Sequence, residues 1–148
     1  MSNDPHSDVH PLVAARLRQA RQRYTTARRD LVDLLLEVGR PLTIPELLEA
    51  GATQAQSSLY RNLATFEQCG VVRRLATAQD VARYELDEEL TGHHHHLVCS
   101  LCGRIDDITL SEDFEATLHA GADEVGSTLG YELDTHRLEL VGRCATCR

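Results

Sequence analysis

His93-His94-His95-His96-Leu97-Val98-Cys99-Ser100-Leu101-Cys102 decides how the second half of this chain folds, and it takes its meaning from a second pair, Cys144-Ala145-Thr146-Cys147, at the C-terminal end. A CxxC turn puts two thiolates on one side of an ion, and structural zinc takes four ligands in a tetrahedron. Cys99, Cys102, Cys144 and Cys147 therefore read as one closed zinc site. The four histidines beside it are then available for other metal. Residues 93–99 read as a strand, whose side chains alternate between faces, so His93 and His95 point one way and His94 and His96 the other. One run can feed two metal sites. Its internal position, leading straight into a zinc knuckle, is unlike an affinity tag. A solvated histidine run is the plainer alternative.

Of five cysteines, four sit in these pairs and Cys69 stands alone, as small buried cysteines often do. The N-terminal residues are polar and resemble no secretory signal, and no stretch approaches the roughly 18 apolar residues of a membrane span. A reducing cytoplasm and a metal site follow, rather than a disulfide framework. A redox-active dithiol is the alternative. The formal net charge of −8 hides an asymmetry: residues 1–84 carry 11 Arg against 9 acidic residues, whereas residues 85–148 carry 4 against 14. A mildly basic half suits phosphate binding, and a strongly acidic half suits collecting cations.

In the first half, residues 1–11 are expected to be disordered, and 12–23 form an arginine-rich helix. A second helix from Thr26 carries Leu31, Leu34, Leu35 and Val38 on one face and stops at Gly39 and Pro41. Thr43-Ile-Pro-Glu46 has the form of a capping box and opens a short third helix that ends at Gly51. Thr53-Gln-Ala-Gln56 could open a fourth, with Leu59, Leu63 and Phe66 inward. This is a helix-turn-helix. With those three residues facing the core, Ser57, Ser58, Tyr60 and Arg61 fall on the other sides near the N-terminus of the second helix, where a recognition helix meets bases and phosphates. Strands at 71–75 and 83–86, joined by a polar turn, make a wing. Structural helical bundles carry similar patterns, so DNA binding is one of two readings here.

Residues 87–92, DEELTG, are polar, end in glycine and read as a hinge. Beyond the first strand of the second half, 104–108 reads as a strand, Ser111 to about Leu129 as a helix with Phe114, Leu118 and Val125 inward, and 131–141 as a final strand. The chain is thus α+β: a winged helix-turn-helix over 1–86 and a small zinc-clasped α/β domain over 93–148. His6, His10 and His119 carry no clear ligand reading.

The order of winged helix, hinge, HHHH-x-x-C-x-x-C, acidic helix, His136 and terminal CxxC resembles the ferric uptake regulator family of bacterial metal-dependent repressors. The resemblance runs from Thr25-Thr-Ala-Arg28 through Ser58-Leu-Tyr-Arg61 and Cys69-Gly-Val-Val72 to the last cysteine. It implies a homodimer on double-stranded operator DNA, with the second domain as the dimerisation domain. It implies that Glu85, His94 and His96, with Asp107 as a further ligand, form the regulatory metal site. His93, His95, Glu115 and His136 would form an additional site within the dimerisation domain. Tyr60 and Arg61 correspond to the DNA-contacting pair, and Arg28, the T-x-x-R arginine, is expected to bind DNA with them.

Within the family, many iron sensors have a histidine before the third helix, where this chain has Arg40, Pro41 and Leu42. Actinobacterial zinc sensors add a cysteine and an aspartate, where it has Asp87 and Arg73. The histidine run and paired cysteines look most like the zinc-sensing branch, with zinc as corepressor; iron, manganese or peroxide sensing are alternatives. Zinc storage or metal transfer is the rival from another class. A zinc hydrolase is disfavoured, because H-E-x-x-H is absent and four cysteines leave no open position for water.

Overall fold

The computed structural model describes residues 9–77 and 80–148. The expected disorder at residues 1–8 and part of the turn between the wing strands lie outside the described residues. The chain divides between His93 and His94 into two compact units.

In the first unit, α1 spans Val9–Gln19 and α2 spans Thr26–Val38. α1 begins three residues before the expected start, because Val9 and Val13 are apolar at helical spacing and bury with Leu17. α2 is capped by Thr25, whose hydroxyl accepts from the Arg28 N–H, and ends at Gly39 in the left-handed conformation (φ 60°). Leu31, Val32 and Leu35 are its buried residues; Leu34 and Val38 lie partly buried at the edge.

α3 (Ile44–Glu49) opens with the capping box read from the sequence: Glu46 N–H donates to Thr43 Oγ1 at 3.2 Å, and Thr43 N–H donates to Glu46 Oε2 at 2.8 Å. α4 (Gln56–Gln68) buries Leu59, Leu63 and Phe66 completely. Its N-cap is Ala55, so the expected box at Thr53 does not form. Gln54, inside that stretch, instead turns its amide onto the carbonyl of Ala27 at 2.5 Å.

β1 (Val72–Ala76) and β2 (Ala82–Leu86) pair antiparallel with Arg73 opposite Glu85. A bridge between Leu42 and Tyr84 ties the approach to α3 onto β2, which fixes the wing against the helix-turn-helix. The segment expected as a hinge holds a short helix, α5 (Glu88–Thr91), whose Leu90 buries in the first unit's core. Arg16 of α1 pairs with Glu89 at 2.6 Å and Asp87 at 3.5 Å, so those carboxylates meet a guanidinium.

The second unit holds β3 (His95–Cys99), β4 (Ile105–Ile108), α6 (Glu112–Leu129) and β5 (Glu139–Gly142). The sheet order is β4-β3-β5: β4 is antiparallel to β3, and β5 runs parallel to it. α6 starts at Ser111, whose hydroxyl accepts from Phe114 N–H, and carries Glu112, Asp113 and Glu115 in its first turn, where the helix dipole favours anions. It ends at Gly130 in the left-handed conformation, and Gly126 lets Leu133 close on the helix: a methyl there would lie 3.0 Å from Leu133 Cγ.

Two expectations are corrected in this unit. Phe114 and Val125 are exposed, at 53% and 61%, because a sheet of three strands of four or five residues is too small to cover the apolar side of an 18-residue helix. The final strand is confined to Glu139–Gly142, since only these residues find partners on β3.

Candidate metal centres and recognition helix

Parallel pairing explains the cysteine cluster. With Cys99 level with Gly142, β3 and β5 run the same way and deliver their CxxC turns to one end of the sheet. The four sulfurs lie within 4.8 Å of one another. A zinc tetrahedron with arms of about 2.3 Å has edges of about 3.8 Å, and Cys102 Sγ lies 3.8 Å from Cys144 Sγ. No disulfide joins them. Backbone N–H groups of Cys102, Cys144 and Leu101 aimed at the Cys99 thiol lower its pKa to about 6. The Cys147 thiol, donating to Cys144 and Cys102, is pushed up to about 12. The four converged sulfurs, with Cys99 readily deprotonated, offer a donor set that fits structural zinc.

The strand alternation expected for the histidines operates from His95, where β3 begins. His95, 1% exposed, brings Nε2 to 2.6 Å from Glu115 Oε1 on α6. His136 brings Nε2 to 3.2 Å from Glu115 Oε2 and stacks on His95 with centroids 5.2 Å apart. One carboxylate thus holds two imidazoles whose donor atoms converge. His94 and His96, with ring centroids 5.3 Å apart, converge on Asp107, at 3.8 Å and 3.7 Å. The β3–β4 register puts His96 level with Asp107, so the ladder itself presents the carboxylate to the ring. Each trio offers two nitrogens and a carboxylate, a donor set that suits a divalent first-row metal. Glu85 lies buried on β2, and His93 lies exposed in the first unit, 3.5 Å from Glu88.

On α4, Ser57, Tyr60 and Arg61 are exposed and Ser58 is half-buried, on the sides away from Leu59, Leu63 and Phe66. The first turn has no side-chain cap, so its N–H groups and both serine hydroxyls stand where phosphate oxygens bind helix termini. Arg28 is different. Its guanidinium is half-buried and bonded to Asn62, Gln22, Thr65 and the Arg23 carbonyl. Sequence reading did not single out Asn62, Gln54 or Gln22. Their only signal is polarity at the flank of an amphipathic helix and its adjoining turns.

Residues 19–141 match the ferric uptake regulator family. The chain is 33% identical over 102 residues to the ferric uptake regulation protein of Neisseria meningitidis serogroup A, covering 69% of this chain and 66%, just under two thirds, of that protein. It is 30% identical over 140 residues to the ferric uptake regulation protein of Synechococcus elongatus, covering 90% and 91%. The Helicobacter pylori ferric uptake regulator shares the fold, with a TM-score of 0.73 at 21% identity over 96% of this chain and 93% of that one. A winged helix followed by a four-cysteine α+β unit, matched over most of its length, places this chain in the ferric uptake regulator family of metal-responsive regulators.

Proposed function

We propose that the chain is a metal-dependent DNA-binding repressor of metal-uptake genes, acting in the cytoplasm as a homodimer with zinc as corepressor. The observation that carries this reading is the convergence of His94 and His96, at the start of β3, with Asp107 on the neighbouring β4. On this reading Glu85 completes that set from the wing, so metal fixes the wing relative to the second unit. His93 joins His95, Glu115 and His136 in the additional site, and the cysteines hold structural zinc.

Bound metal supplies a fixed charge that only converged ligands can satisfy. Moving an equilibrium from 1:99 to 99:1 takes about 5.5 kcal/mol of preference for one state, within reach of a few good ligands. Imidazole ligates only when neutral, so acid opposes the closed state. Tyr60, Arg61, Ser57 and Ser58 then read the operator: Arg61 through paired bonds to guanine or phosphate, Tyr60 through sugar or a thymine methyl, and the serines through phosphate. The exposed apolar face of α6 supports pairing of two copies.

Irving–Williams ordering favours zinc at such an N/O site, while cellular availability can reverse the outcome. Ferrous iron is the second reading, favoured by relatives that carry an iron-uptake name. Fluorescence anisotropy on the chain's own promoter, with zinc, ferrous iron and manganese buffered separately, tests the reading. Tight binding switched on by one ion names the corepressor. Unchanged DNA affinity with every ion, despite metal uptake, hands the protein to zinc storage.

A further inference from the structure

We infer that Arg28 is a positioning residue, which clamps the recognition helix through Asn62 and Gln54 rather than contacting DNA phosphate; this rests on the DNA-binding reading above. A guanidinium has five N–H donors in a fixed fork. In Arg28, Nε donates to Asn62 Oδ1 at 3.0 Å. Nη1 donates to the Arg23 carbonyl at 2.7 Å and to Gln22 Oε1 at 3.3 Å. Nη2 donates to Gln22 Oε1 at 3.3 Å and Thr65 Oγ1 at 3.4 Å. All five donors face acceptors inside the first unit.

The network closes on itself. Asn62 Nδ2 donates to Gln54 Oε1 at 2.6 Å, and Gln54 Nε2 donates to the carbonyl of Ala27, the neighbour of Arg28, at 2.5 Å. Thr65, which accepts from Arg28, donates to the carbonyl of Arg61 at 3.0 Å. Three segments are joined: the first turn of α2, the turn before α4, and the second turn of α4 that bears Tyr60 and Arg61. Ala55 gives α4 no side-chain cap, so this ring adds a side-chain restraint near the end of the helix that reads DNA. A misplaced recognition helix loses base contacts while retaining charge attraction, so the clamp sets specificity.

Lysine separates the two roles. It preserves a phosphate contact but cannot reproduce the fork. Arg28→Lys and Asn62→Ala are therefore compared with the wild type for operator and unrelated duplex binding across a salt series, after zinc content and circular dichroism confirm folding. The clamp predicts that both lose operator affinity about tenfold or more, bind unrelated DNA within about twofold of wild type, and keep the salt slope. Combined, they lose little more than either alone. In the free protein, amide exchange across residues 56–62 accelerates in both variants.

Operator affinity retained by Arg28→Lys, with Arg28→Met flattening the salt slope by about 0.9 and exchange unchanged, would make Arg28 a phosphate contact and overturn the inference. If the wild-type protein binds no operator, the proposed function fails, and the exchange of residues 56–62 still decides the clamp.

Discussion

Arg28 lies on α2 and Arg61 on α4, and their surroundings assign them different work. Arg61 is exposed and carries its guanidinium into solvent beside Tyr60, whereas Arg28 is held by acceptors on four neighbours. Arg61→Ala should weaken operator binding by about tenfold or more, since a good paired contact is worth roughly 1–3 kcal/mol. Its zinc content should match the wild type. Anisotropy at fixed salt, with metal analysis of the same sample, checks both. Sequence spacing revealed the outward position of Arg61 because Leu59, Leu63 and Phe66 mark the inner face. The engagement of Arg28 was invisible to it, because its partners come from two segments, the turn before α2 and the distant α4.

Among the elements, α3 depends most on a single carboxyl. Burial pushes the Glu46 pKa up, but the Thr43 N–H, the Arg83 guanidinium, the Thr43 hydroxyl and Arg40 together overcome this and hold it below the usual glutamate value. A folded-state value below the unfolded one means that the stabilisation is full above about pH 4.3 and fades as pH falls through the lowered value. Glu46→Gln should lower the thermal midpoint by a few degrees at pH 7, and the gap from wild type should close in acid. Parallel melting curves at pH 7 and about pH 3 measure it.

Local chemistry made this element legible: Thr43 and Glu46 satisfy each other within one turn. The start of α4 was not legible, because Thr53-x-x-Gln56 fits the same pattern while Gln54 is drawn to Ala27 by tertiary contact. The cysteine and histidine clusters were legible as ligand types and spacing. That Glu115 joins His95 to His136 depends on where α6 passes the sheet, which no local spacing encodes.

At the scale of the molecule, the second unit leaves apolar surface uncovered. Val125, Leu129 and Tyr131 are 61–69% exposed, and with Leu118, Ala122 and Leu133 they line a groove of about 560 Å³. Such surface calls for a partner, and a second copy fits the proposed dimer. Leu129→Glu, at a position 69% exposed and so with little packing to lose in one chain, should convert the proposed dimer to a species near 16.5 kDa by light scattering while retaining zinc. Operator affinity should fall with it. Among the described residues no helix is long and apolar enough to cross a membrane.

With metal as corepressor, as proposed, metal and DNA bind linked states of one molecule, and linkage makes their coupling reciprocal. The decisive measurement is zinc affinity at the histidine sites by competition with a calibrated chelator, with and without operator DNA. Zinc should bind more tightly in the presence of operator, by the same factor by which zinc tightens operator binding. Identical zinc affinity with and without DNA would contradict it.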